Sequence, residues 1–209
     1  MEKYMKRLDG SIHTEFFSLH YSGITDRGQI RKANEDNFLI MANCCLFCVA
    51  DGMGGHEAGV LASRSTVENV ERAMNYLVDS QDATLPYGLT ADMLEKPILS
   101  SVVQFTNSQV HKIAAGRTMG STLVAAYFVD NRLDIAHVGD SRLYVWRSGQ
   151  LLQLTEDHSL VYELYKTGQI TEAEMRVHQM RNVITRAIGT ESQVEPTLGS
   201  VEVVAGDIF

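Results

Sequence analysis

No apolar run in these 209 residues approaches the roughly 18 that a membrane-spanning helix needs, and the first ten residues lack the apolar core of a secretion signal. The expectation is a cytoplasmic protein with no membrane partner. Basic charge is also short: 18 Lys and Arg stand against 26 Asp and Glu, a formal net charge of -8, which argues against nucleic acid as the primary partner. An acidic chain can still host cations. Cysteine is scarce, and Cys44, Cys45 and Cys48 crowd into one apolar run with no second cluster to pair with or to complete a tetrahedral site. They read as buried thiols in a reducing compartment. A hydrophobic share of 44% with 21% charged residues suffices for a full core in one domain or two small ones.

What is present is organised around one stretch, Cys48-Val49-Ala50-Asp51-Gly52-Met53-Gly54-Gly55. A β-favouring run stops at a carboxylate, and glycines follow that let backbone carbonyls approach a ligand without interference from a Cβ. Asp-Gly is also an ordinary turn signal, so this stretch alone leaves a plain turn open. Upstream, Glu35-Asp36 precedes a short strand at 38–41, which with 45–50 predicts a hairpin around Asn43. One strand begins just after Asp36 and its antiparallel partner ends just before Asp51, so both carboxylates fall at one end of a sheet. Two such groups repel unless a cation joins them. Magnesium or manganese fits, since both take oxygen ligands and keep several waters. Arg31 lies close enough in sequence to face the same edge, where a planar guanidinium suits a phosphate; a surface arginine is the alternative.

The remaining chain supplies a scaffold. Residues 1–14 are polar and mixed in charge and are expected to form a flexible lead-in to a domain at 15–209. A strand is expected at 16–24. Apolar spacing predicts helices over 57–78 and 91–115, the second starting near Glu95 with Pro97 in its first turn. The run 120–129 reads as one buried strand, and 133–138 with 143–146 reads as a hairpin whose turn, Gly139-Asp140-Ser141-Arg142, carries another carboxylate. A turn aspartate capping its own backbone is the alternative there. Ser148-Gly149 predicts a tight turn into 151–154, Thr155 is the expected N-cap of a polar helical stretch, and 201–204 reads as a late strand.

Six motifs in order carry a family resemblance: Arg31-x-x-Asn34-Glu35-Asp36, Val49 to Gly55, Gly120-Ser121-Thr122, Val138-Gly139-Asp140-Ser141-Arg142, Leu154-Thr155-Glu156-Asp157-His158, and Asn182 to Gly189. The resemblance covers the chain from about residue 23 to the last. The chain resembles the type 2C metal-dependent protein serine/threonine phosphatases, bacterial branch. The resemblance implies an α+β fold, a four-layer α-β-β-α sandwich of two antiparallel sheets flanked by helices. It implies two divalent cations, manganese or magnesium, bridged by Asp51, with the Gly52 carbonyl as a ligand, Glu35 and Asp36 acting largely through bound waters, Arg31 on the substrate phosphate, and a third metal at Asp140. A flap is implied at about 156–178. The implied activity is signalling by dephosphorylation of phosphorylated proteins, in opposition to a serine/threonine kinase, through attack of a metal-bridging water on phosphoserine or phosphothreonine.

Two departures accompany the resemblance. Met53 occupies the position where eukaryotic members carry a histidine, so the general acid is another group or water, with His56 the nearby candidate. The Ser-Asp-Gly and Asp-Asn motifs and C-terminal strands that the family carries after the Gly206-Asp207 turn are missing from this sequence. The expectation is weak metal binding, with either low activity or pairing through unpaired sheet edges, as in a dimer. The alternative is a truncated pseudophosphatase, a phosphoprotein-binding or regulatory module.

Overall fold

The computed structural model describes residues 5–55, 57–79 and 96–209. Its centre is an antiparallel sheet in which Asp36–Met41 (β3), Leu46–Met53 (β4), Leu123–Val129 (β6), Arg132–Val138 (β7) and Thr197–Glu202 (β10) lie in the order β10-β7-β6-β4-β3, with the short Gly120–Ser121 (β5) paired to the end of β4. Side chains alternate between the two faces. Leu46, Cys48, Ala50, Leu123, Ala125, Ala136 and Val138 point to one core, while Ala126, Phe128, Leu133 and Ile135 point to a second.

Two helices cover the first face. Glu57–Asp79 (α1) buries Ala62, Val67, Val70, Ala73 and Met74, and Ile98–Ala114 (α2) buries Val102, Val103, Phe105 and Val110, the helical spacings read from the sequence. Full burial of Phe105 alone removes enough apolar surface to contribute about 2–3 kcal/mol. Pro97 is the N-cap of α2 instead of lying within its first turn, and its carbonyl accepts the amides of Ser100 and Ser101. The expected helical start near Glu95 lies outside the described residues.

One hairpin and the residues flanking a second pack on the second face, and among the described residues these hairpins are separate two-stranded sheets. The first corrects the expectation of a flexible lead-in for residues 5–13; residues 1–4 lie outside the described residues. Met5–His13 (β1) pairs along its whole length with Ser18–Asp26 (β2), from Met5 opposite Asp26 to His13 opposite Ser18. Polar composition hid a strand whose order comes from tertiary contact. Ile12, Phe17 and Leu19 pack into the second core, the Phe17 ring lies 5.6 Å from Phe128, and the Lys6 ammonium sits 4.5 Å over the Phe38 ring. Residues 5–13 therefore belong to the domain.

The second hairpin joins Tyr144–Arg147 (β8) to Gln150–Gln153 (β9) through the expected turn, with Ser148 at φ 50°. The expected pairing of 133–138 with 143–146 is not made: β7 lies in the main sheet and β8 in the outer layer, and 139–143 crosses between them. The run 120–129 is likewise divided at Thr122 into β5 and β6.

The segment 155–178 contains two short helices, Leu160–Lys166 (α3) and Glu172–Val177 (α4). Their caps are Ser159, which accepts the Tyr162 amide, and Thr171, which forms a capping box with Glu174. Thr155 is not a cap; its hydroxyl accepts the Leu143 amide at 3.0 Å and so holds the crossing loop. No residue of α4 is buried. Among the described residues no helix is long and apolar enough to cross a membrane.

Candidate active site

The register of the β3–β4 hairpin places Asp36 directly opposite Asp51 at the end of the main sheet. Asp36 is prepared by Asn34, whose side-chain oxygen accepts the Asp36 amide at 3.1 Å while its NH2 donates to the Thr25 hydroxyl at 2.8 Å. That pair also ties β2 to the start of β3. Thr25, Asp26, Asp36, Val49, Asp51 and Ser141 line a cleft of about 360 Å³ between the hairpins.

The cleft is electrostatically strained without a counter-charge. Asp51 is open to solvent, yet desolvation by the cleft walls comes first among the causes that raise its pKa above the ordinary carboxylate range, followed by the Asp36 and Asp140 carboxylates; Arg31 acts in the opposite sense. Asp140 is also raised, by burial and by the Asp157 charge, although its carboxylate accepts its own backbone N–H and Arg142 offsets part of the effect. Arg142 holds Asp157 in a two-pronged ion pair at 2.7 and 2.6 Å.

The expected site residues are therefore mostly found at one sheet end. Arg31 is largely exposed, with its guanidinium 3.5 Å from Glu35. Glu35 is mostly buried and packs so near Gly59 of α1 that a Cβ there would lie 3.0 Å from its carboxyl carbon. Gly52 is buried, its amide donates to the Glu35 carbonyl at 3.0 Å, and its carbonyl oxygen would meet a Cβ on Gly59 at 2.9 Å. His56 lies outside the described residues.

Hard oxygen donors around a cleft with raised carboxylate pKa values fit magnesium or manganese in kind. Among the described residues, however, no three Asp, Glu, His or Cys side chains form a preassembled cage. Asp51 and Asp36 are the pair that would hold a cation, with Asp140 on the adjoining turn.

Sequence reasoning assigned no role to Thr122, Ser141 or His158. The signal for Thr122 lay in its Gly120-Ser121-Thr122 motif. His158 is buried and stacked on His137, with ring centroids 4.7 Å apart. Its Nδ1 accepts the Gly139 amide at 3.1 Å, which fixes the neutral tautomer and leaves Nε2–H to donate to the Thr197 hydroxyl at 2.8 Å. Burial first, then the charges of His137 and Arg186, push the His158 pKa down to about 4.

A pH dependence follows. In the unfolded chain this imidazole takes a proton near roughly pH 6.5, whereas in the folded protein it stays neutral down to about 4. Between these values the unfolded state binds more protons, so stability is full above about pH 6.5 and falls as pH drops. Urea unfolding at pH 7 and pH 5 is expected to show a loss of about 2 kcal/mol from this group, absent in His158→Asn. Equal pH slopes for the two proteins would refute the assignment.

Comparison with known proteins shows the family. Residues 29–188 match the Protein phosphatase 2C family. The serine/threonine phosphatase stp of Listeria welshimeri is 42% identical over 184 residues, 85% of this chain and 69% of that protein. The crystal structure of the Mycobacterium tuberculosis serine/threonine phosphatase PstP/Ppp superposes with a TM-score of 0.71 at 33% identity, covering 97% of this chain and 75% of that one. A structure of the catalytic domain of PstP in complex with two manganese ions gives a TM-score of 0.66 at 35% identity, over 97% and 74% of the respective chains. With the carboxylate-ended hairpin, the antiparallel sandwich and these likenesses in agreement, the chain belongs to the protein phosphatase 2C family.

Proposed function

We propose that this protein serine/threonine phosphatase hydrolyses phosphoserine and phosphothreonine in phosphorylated proteins, opposing a serine/threonine kinase, with two manganese or magnesium ions as cofactors and a further cation at Asp140. The observation that carries the reading is the pairing of Asp36 with Asp51 at the mouth of an acidic cleft, with Arg31 beside it. Divalent cations, when bound, lower the pKa of water and offset charge on phosphoryl oxygens.

The chain's own residues do the rest. Asp51, with the Gly52 carbonyl, and Asp36 and Glu35 supply oxygen ligands directly or through water. Arg31 projects into solvent and can turn toward a phosphate, leaving its long contact to Glu35. Arg31 would hold and orient the phosphate for in-line displacement, and cations held by the carboxylates would offset charge on its oxygens. The segment 156–178, anchored where the Leu160 amide donates to Val183 and the Thr185 amide to His158, acts as a flap over the adjoining surface. The general acid is His56, or another group or water.

Calorimetric titration with manganese, run beside nitrophenyl phosphate turnover, tests this function. Heat of binding that saturates together with turnover is expected, and both should be lost with chelator. Binding without turnover would instead favour a second reading, phosphoprotein recognition by a pseudophosphatase. In that reading, pairing of free sheet edges into a dimer supplies regulation.

A further inference from the structure

We infer that Thr122 is a positioning residue that sets the Asp51 strand end against the Asp140 turn. The inference rests on the proposed function only for what those carboxylates do; the coupling itself is a property of the fold.

Thr122 sits in the break between β5 and β6 and is 3% exposed. Toward β4 it makes two bonds with one residue: its hydroxyl accepts the Asp51 amide at 2.9 Å, and its own amide donates to the Asp51 carbonyl at 2.8 Å. The backbone on both sides of the Asp51 side chain is thereby held by a single neighbour. The Ser121 hydroxyl shares its one proton between the Thr122 carbonyl at 2.8 Å and the Asp51 carbonyl at 3.1 Å.

Toward the other turn, the Thr122 hydroxyl lies 2.7 Å from the Ser141 hydroxyl, one residue beyond Asp140. Having accepted from Asp51, it still has a proton to donate and a lone pair to offer, so both bonds coexist. Gly139, one residue before Asp140, rests on the same side chain. Its φ is 102°, and a Cβ there would lie 2.6 Å from the Thr122 methyl. Hydroxyl and methyl thus serve different partners. The hydroxyl joins Asp51 to Ser141, and the methyl carries Gly139.

The spacing matters because a cation shared by two carboxylates tolerates little error in where their oxygens stand. A misplacement of about 1 Å costs on the order of 100-fold in a positioned reaction. No hydrogen bond joins the Asp51 and Asp140 side chains, so their separation is inherited from the backbone that Thr122 holds on each side.

The test uses Thr122→Val, which keeps the shape and removes the hydroxyl, and Thr122→Ser, which restores it. Amide exchange in the metal-free protein reads the coupling directly. Exchange at Asp51, whose amide donates to the Thr122 hydroxyl, and at Leu143, whose amide donates to Thr155 just beyond Ser141, is expected to accelerate at least about tenfold in Thr122→Val relative to the interior amides of β6, and to return to within threefold of wild type in Thr122→Ser. Acceleration at Asp51 with no change at Leu143 would overturn the coupling, as would no change at either.

Manganese titration below the unfolding transition then reads the consequence. Thr122→Val should bind at least about tenfold more weakly and Thr122→Ser near wild type, with kcat lowered and KM for nitrophenyl phosphate little changed. Unaltered affinity in a destabilised Thr122→Val would leave Thr122 merely structural and sink the inference. If wild type itself binds no manganese, the proposed function fails while the exchange result still decides the coupling.

Discussion

Asp51→Asn is expected to lower manganese-dependent turnover of nitrophenyl phosphate by at least about a thousand-fold, the scale on which removal of a charge-stabilising group from an enzyme site is felt. The substitution keeps size and shape, and the backbone bonds to Thr122 do not involve the side chain that changes. What is lost is a formal negative charge at the point where Asp36 and Asp140 already crowd it. The same crowding gives the prediction a second signature. A carboxylate whose pKa is raised on folding opposes folding at neutral pH, so the metal-free variant should melt at a higher temperature than wild type. Turnover within tenfold of wild type, or a lower melting point in chelator, would remove Asp51 from the centre of the site.

Gly52→Ala should have the largest effect on stability, about 3 kcal/mol or more in urea unfolding, together with loss of turnover. A Cβ at this position would stand 1.9 Å from the Gly59 carbonyl oxygen, 2.6 Å from its carbon and 2.9 Å from the Glu35 carbonyl oxygen. All three atoms are backbone, so no side chain can move aside. Either the first turn of α1 or the segment before β3 must shift, and Gly52 directly follows Asp51. Gly199→Ala in β10 is the contrast, since its new methyl would meet only Ile135 at 4.0 Å, and stability should change by less than about 0.5 kcal/mol. Similar losses at the two positions would mean that close approach at Gly52 is not what its lack of a side chain serves.

The carboxylate pair and both core helices were readable from local pattern, because hairpin alternation and helical spacing are short-range signals. Asp36 and Asp51 are 15 positions apart and joined by one turn, so antiparallel pairing alone brings them together. The strand at Met5–His13 was not readable, since Leu8 and Ile12 are nearly its only apolar residues beyond the terminus and its order derives from Phe128, far along the chain. The separation of β7 from β8 was hidden for a similar reason. Two apolar runs around a glycine-containing turn look like a hairpin, and only the Thr155 and His158 contacts show the turn to be a crossing. Thr122 was missed because its place in the Gly120-Ser121-Thr122 motif does not reveal that two distant turns share its hydroxyl.

The register that sets Asp36 opposite Asp51 also limits how this gene can change length. Adding or deleting one residue within β3 or β4 would send one of the two carboxylates to the opposite face of the sheet and bring Leu39 or Cys48 out of the core to the face it left. A two-residue change would restore the face but displace the carboxylate along the strand by roughly 7 Å, beyond the reach of a shared ion. Descendants of this sequence are free to lengthen the turn at 42–45, whereas the two arms that lead from it to the carboxylates are fixed in residue count.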